Sequence, residues 1–306
     1  MKFHRVIVLG SFLLVGAGPV LAQEGGLDIL DGETIWVEGA QLSLSEIYRR
    51  KSTLYHGSDR ASDPLDQTLA ESRTTASLNY GVLPELTLSA LVPFVYQELR
   101  FDSPSGRERD TADGLGDVTL VAKYRVYKED WHLGSFNWTL FAGGELPTGS
   151  TDEREGGLTL PPELQPSSGS WDAIVATAGT FEVDRFKLNG VLLYERNGKG
   201  ARDFKFGDLL VAEVTAGYRM VVVKYPGPLL RADLGLQWRH EFAAEDSGHR
   251  ASDSGGDTLL LKPGVVFWVK PWWGLIVSAE VPVWRDLRGD QLGLDYGVFA
   301  SVSYRF

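Results

Sequence analysis

Tyr296-Gly-Val-Phe-Ala-Ser-Val-Ser-Tyr-Arg-Phe306 reads as a strand with one greasy face. Tyr296, Val298, Ala300, Val302, Tyr304 and Phe306 take every second position, and Gly297, Ser301, Ser303 and Arg305 lie between them. A period of two is the side-chain repeat of an extended strand. Aromatics at the last position and two before it suit a strand that seals a membrane barrel, its rings at the lipid interface. Tyr304 and Phe306 are therefore expected to form the assembly signal read by the barrel-insertion machinery.

The start of the chain agrees with export. Lys2 and Arg5 precede an apolar run over 6–18, and Val20-Leu-Ala22 offers an acceptable cleavage site. This pattern predicts a cleaved signal peptide over 1–22. Residues 23–40 then form a periplasmic N-terminal extension or a segment folded into the lumen, and 41–306 form the barrel. The 306 residues include no Cys, which excludes a disulfide framework, a thiolate metal site, a cysteine nucleophile and a lipidated cysteine together. A formal charge of -11 leaves no electrostatic footprint for nucleic acid. Mean hydropathy of -0.12 is too polar for a helical membrane protein. After residue 22 no stretch approaches the roughly 20 apolar residues of a spanning helix.

Alternation recurs throughout. Leu86, Leu88, Ala90, Val92, Phe94 and Tyr96 share a face; Leu120, Ala122 and Tyr124 oppose Lys123 and Arg125. Ala212 and Val214 oppose Glu213, Ala232 and Leu234 oppose Arg231 and Asp233, and Val277, Ala279 and Val281 oppose Ser278 and Glu280. Charges at every second position in greasy strands fit lipid on one side and a wet lumen on the other. Short turns are expected near 81–85, 128–133, 182–185, 222–228 and 270–274. Longer polar loops are expected near 56–66, 102–114, 148–169, 197–206, 243–256 and 286–293. The pattern predicts an all-β, antiparallel, up-and-down transmembrane barrel of about 12 strands with both termini periplasmic. Residues 41–55 alternate poorly and fix their register least.

This register turns Lys123, Arg125, Glu145, Glu213, Arg219, Arg231, Asp233, Arg239 and Glu280 inward as lumen-lining candidates, with Asp172 and Glu195 beside them. The signs nearly balance, unlike the single-sign ladder of an ion-selective filter. Such charges either pair across strands and hold a narrow lumen, or line a weakly selective polar path. Glu145 and Glu280 are placed near the mouth, each two residues before a proline (Pro147, Pro282), and a strand proline marks a bulge or an end of pairing. No cofactor is expected. Gly114-Leu-Gly116 lacks the third fingerprint glycine and precedes a strand. The five His show no metal-ligand spacing, so no metal is expected. No catalytic set is legible either, because His240 has no Ser, Asp or Glu convincingly beside it.

Three stretches carry a resemblance: Tyr80-Gly-Val-Leu-Pro-Glu-Leu-Thr-Leu-Ser-Ala-Leu-Val-Pro93, Gly114-Leu-Gly-Asp-Val-Thr-Leu-Val-Ala-Lys-Tyr-Arg125 and Glu145-Leu-Pro-Thr-Gly149. With the hairpin order and the terminal Tyr-Arg-Phe, the chain resembles the outer-membrane "transporter" family associated with a meta pathway of phenol degradation. The resemblance implies a barrel in the outer membrane of a Gram-negative bacterium that passes small, aromatic or hydrophobic molecules inward without an enzymatic step. Its expected partners are outer-membrane lipid and lipopolysaccharide, the insertion machinery and a small-molecule solute. Two other readings stay open: a structural or adhesive barrel with a closed lumen, and an outer-membrane lipid hydrolase.

Overall fold

The computed structural model describes residues 30–306, so the expected signal peptide lies outside the described residues. The strands are β1 (Ala40–Gly57), β2 (Thr68–Leu83), β3 (Leu86–Ser103), β4 (Gly106–Leu115), β5 (Val118–Trp131) and β6 (Gly134–Leu146). They continue as β7 (Asp172–Val183), β8 (Phe186–Arg196), β9 (Leu209–Val222), β10 (Leu229–Glu241), β11 (Gly256–Lys270) and β12 (Trp273–Arg305). All pairings are antiparallel and join chain neighbours, except that β3 also pairs with β5 past the intervening β4, and β12 pairs with β1 to close the cylinder. Eleven strands make the closed path, while β4 extends it above β3 and β5. β12 is 33 residues long and doubles back near Gly289, its first half on β11 and its second on β1. The chain thus crosses the wall an even number of times. The two ends of the barrel meet at one rim, where Ala40 and Phe306 exchange backbone hydrogen bonds of 2.8 and 2.9 Å.

Closure matters because a membrane offers no water to an unpaired strand edge. The side chains then sort by the pleat. Leu120, Leu234, Leu236, Val277 and Val283 point outward and are exposed, whereas Lys123, Asp233, Gln237 and Ser278 are buried inside. Aromatics gather at the rim of short turns: Trp131 on Phe181 at 5.4 Å, Phe186 on Tyr218 at 4.9 Å, and Trp273 on Tyr304 at 4.9 Å. Amphipathic rings at that level match the boundary between hydrocarbon and headgroups. Among the described residues no helix is long and apolar enough to cross a membrane.

The short turns fall where alternation breaks, between β2 and β3, β5 and β6, β7 and β8, β9 and β10, and β11 and β12. Two expected loops are corrected. Residues 102–114 form most of a hairpin in which β3 pairs with β4 from Phe94↔Leu115 to Ser103↔Gly106. Residues 286–293 are mostly strand. In both places the backbone satisfies itself as a ladder that projects past the barrel wall, which polar composition alone does not reveal. Pro282 sits at a register shift between Leu259 and Leu260, and Pro147 follows the end of β6.

Candidate functional site

The lumen is the candidate site, and residues 30–36 enter it from the turn rim. Leu30 packs among the inward side chains Leu91, Val121, Phe141, Ile174 and Leu193. Polar contacts fix the rest of this segment. Gly32 N donates to Thr180 Oγ1 at 2.8 Å, Thr139 Oγ1 donates to the Asp31 carbonyl at 3.1 Å, and Asn189 Nδ2 donates to the Leu30 carbonyl at 3.1 Å. Ile35 N reaches Thr87 Oγ1 at 3.0 Å, and Thr34 Oγ1 donates to the Pro84 carbonyl at the rim. Gly32 has no room for more: a Cβ there would lie 2.5 Å from the Asn137 carbonyl oxygen. Gly81 makes the reciprocal allowance on the wall, since a Cβ would stand 2.0 Å from the Trp36 carbonyl oxygen.

Charge pairs lock the plug in place. Lys123 Nζ lies 2.5 Å from Asp31 Oδ1, and Lys187 Nζ lies 2.8 Å from Glu33 and 3.7 Å from Asp31. The adjacent Lys187 ammonium outweighs burial and holds the Glu33 carboxyl down at about 2. The remaining candidates do not gather into one constriction. Arg49 forks onto Glu280 at 2.8 and 3.0 Å, Arg231 onto Asp233 at 2.7 and 2.9 Å, and Lys262 meets Glu213 at 2.8 Å. Arg239 stands 3.8 Å from Glu241. Arg125 and Arg219 lie lower, donating to the turn carbonyls of Pro84 and Asp184. Cavities among these groups are small, about 150 Å³ beside the plug and about 80 Å³ around Arg49 and Glu280.

The opposite mouth is capped by inward-folded loops. Leu160 and Leu164 pack against Leu54, Leu69, Leu99 and Leu292. Asp117 anchors that loop by accepting from Ser167 Oγ at 2.7 Å, Ser168 N at 3.1 Å, and Thr148 N and Gly149 N at 3.0 Å each. Phe204 and Phe206 close from another side, their rings 5.0 Å apart. Arg202 Nη1 donates to the Leu160 carbonyl at 2.6 Å, joining the two loops. Sequence reasoning missed the roles of Arg49, Asp31 and Glu33. Arg49 lies in the poorly alternating strand, and nothing local marks the two acids as plug residues.

His240 does have an acid beside it, Asp257 at 2.9 Å, which corrects the expectation of none. Its cross-strand partners are Leu210 and Asp257, so no hydroxyl nucleophile faces it across the ladder. A histidine in contact with Asp257 and stacked on Trp238 is what remains.

A family model described as "Putative MetA-pathway of phenol degradation" matches residues 67–294. The chain belongs to this family. A search of curated proteins found no match. Among solved structures, an outer membrane channel from Pseudomonas putida F1 is similar, with 16% identity, a TM-score of 0.64, and coverage of 90% of this chain and 98% of that one. The beta domain of the Bordetella autotransporter BrkA has 14% identity, a TM-score of 0.47, and coverage of 88% and 100%. The family, the closed barrel and its lipid-facing belt mark an outer-membrane barrel of a Gram-negative bacterium.

Proposed function

We propose that the barrel is a gated channel for passive entry of small molecules, with residues 30–36 as the gate. The observation that carries this reading is how the plug is held. It seats on the wall through discrete hydrogen bonds and ion pairs, centred on Asp31–Lys123 and Glu33–Lys187. Such contacts exchange for water when the segment swings out. The buried apolar wall around Leu30, formed by Leu91, Phe141, Ile174 and Leu193, gives a small aromatic or hydrophobic solute a surface in the same part of the lumen. The name of the family and the channel from Pseudomonas putida F1 support this direction.

The inward charges tune passage without covalent chemistry, and lumen-lining Lys123, Glu213, Arg231, Asp233, Arg239 and Glu280 do so while paired. A structural barrel with a closed lumen is the second reading, favoured by the small cavities and the capped mouth. Planar-bilayer recording separates the two. Wild-type protein should show low, intermittent conductance. Gly32→Val, which cannot fit against the Asn137 carbonyl, should raise the open fraction at least tenfold, and Lys123→Gln with Lys187→Gln should act the same way. Silent bilayers for correctly folded wild type and for both variants would establish the closed structural barrel instead.

A further inference from the structure

Three carboxylates that the channel reading does not use meet near the capped mouth. Glu145, Asp172 and Glu195 stand on the adjacent strands β6, β7 and β8, where Glu145 pairs with Asp172 and Glu195 with Ile174. The ladder therefore brings together residues that are far apart in sequence. All three are buried, at 6%, 6% and 1% exposure. One ligand oxygen from each lies within 4.8 Å of the others. Two oxygens on opposite sides of a calcium ion, each bonded at 2.3–2.6 Å, lie about 4.6–5.2 Å apart, so this spacing suits a cation seated between them.

A second observation points to an occupant. Glu195 Oε2 is fully buried and has no hydrogen-bond partner. A buried carboxylate oxygen left without a partner costs free energy that a bound ligand would recover. Glu195 borders a cavity of about 30 Å³, which Glu145, Asp172 and Arg73 also line. That is room for one ion or water. The other carboxylates are already aimed. Ser170 Oγ and Gly198 N each donate to Asp172 Oδ1 at 2.7 Å, and Thr119 Oγ1 donates to Glu145 Oε1 at 3.3 Å. Such partners orient ligating carboxylates. Arg73 lines the same cavity but pairs with Glu71 at 3.4 Å, so the cluster keeps an excess of acid that a divalent cation would offset.

We propose that Glu145, Asp172 and Glu195 form a structural divalent-cation site, selective for calcium, that clamps β6, β7 and β8 beneath the cap. All donors are hard oxygens, with no His or Cys, which favours calcium over zinc or copper. Asn197 and Ser168 line the same cavity and could supply further oxygen ligands. Bound there, the ion ties three strands to the loop that Asp117 already holds.

The test uses the full barrel, purified in detergent without lipopolysaccharide and stripped with chelator. Isothermal titration with calcium should give one site per chain, and calcium should raise the unfolding temperature. Glu195→Gln and Asp172→Asn should each weaken binding at least tenfold while the barrel still migrates as folded on unheated gels. Manganese provides a readout that needs no variant: its paramagnetic signal should broaden in the presence of wild type and recover on adding calcium. Loop acids serve as a control, so Asp152→Asn with Glu155→Gln should bind as wild type. Three outcomes overturn the site: no calcium bound by folded wild type, unchanged affinity in both cluster variants, or loss of binding in the loop variant. Each leaves the channel reading untouched, because none of these groups belongs to the plug.

Discussion

At Leu236 and Gln237 one step along the backbone separates lipid from lumen. Leu236 points outward, half exposed, and Gln237 points inward and donates to Glu213 Oε2 at 2.6 Å. An arginine at the first position is driven into hydrocarbon, and one at the second meets a carboxylate. Leu236→Arg should therefore cost about 2–4 kcal/mol at a midplane site, and Gln237→Arg much less. Urea titration in lipid vesicles, followed by tryptophan fluorescence, measures both. Equal losses would mean the strand is turned over. The neighbouring Asp233 is a poorer probe, because it is locked onto Arg231 and its replacement breaks a forked ion pair.

Among the elements, the cap loop carries a titratable group. Glu163 lies in the short 3₁₀ turn Pro162–Leu164, buried at 6% exposure. Burial, with Asp246 adding repulsion and Arg202 partly offsetting it, raises its carboxyl from 4.5 to about 7. The folded cap therefore holds a proton that the opened loop releases. Closed-cap stability is greatest below pH 4.5, falls as pH rises from 4.5 to 7, and reaches its lower plateau above 7. Hydrogen exchange at Leu164 and Gln165, corrected for intrinsic rates, should accelerate about tenfold or more between pH 5 and 8. Glu163→Gln should remove that dependence, and a dependence that survives it would assign the effect elsewhere.

The elements also show what was legible from sequence. Turn positions and inward faces could be read because each strand must alternate to satisfy lipid and lumen together. β1 hid its register for a specific reason. Glu46 sits on the outward face with Leu42, Leu44 and Tyr48 and accepts hydrogen bonds from Ser72 and Thr74 on β2, so a polar residue occupies a greasy position. Inward Ile47 then sits in an apolar cluster with Phe299. The plug was legible only as an alternative, because Asp31 and Glu33 find their lysines 92 and 154 residues away. The carboxylate cluster was invisible as a cluster for the same reason, although Glu145, Asp172 and Glu195 were each read as inward-facing. Strand register, not sequence spacing, brings them together.

At the scale of the molecule, closure depends on the second half of β12. It pairs with β1 from Gln41↔Arg305 onward, and the Tyr304 and Phe306 rings stack at 5.9 Å on the rim. We propose that these two aromatics are the signal recognised during insertion. Deleting Phe306 should lower the folded, membrane-inserted fraction several-fold, read as heat-modifiable migration on gels. Insertion at the wild-type level would remove that role. The even number of crossings also puts the N-terminal segment and Phe306 at one rim, which we assign to the periplasm. An impermeant maleimide on intact cells should label a cysteine placed at Asp246 and spare one placed at Asp184, and the opposite result would invert the barrel.

The plug is tethered to the wall it blocks. Only the residues between Trp36 and Ala40 connect it to β1. A tether this short keeps a released segment at an effective concentration of about millimolar, and chain ends separated by about 10 residues meet again in roughly 10–100 ns. Departure of the segment is therefore answered by rapid recapture, and the open time depends on whatever solute or lipid holds the vacated seat. Flicker, not sustained current, is the natural electrical signature of such a gate. By the same arithmetic, a free peptide carrying residues 30–36 would compete with the tethered segment only at about millimolar concentration.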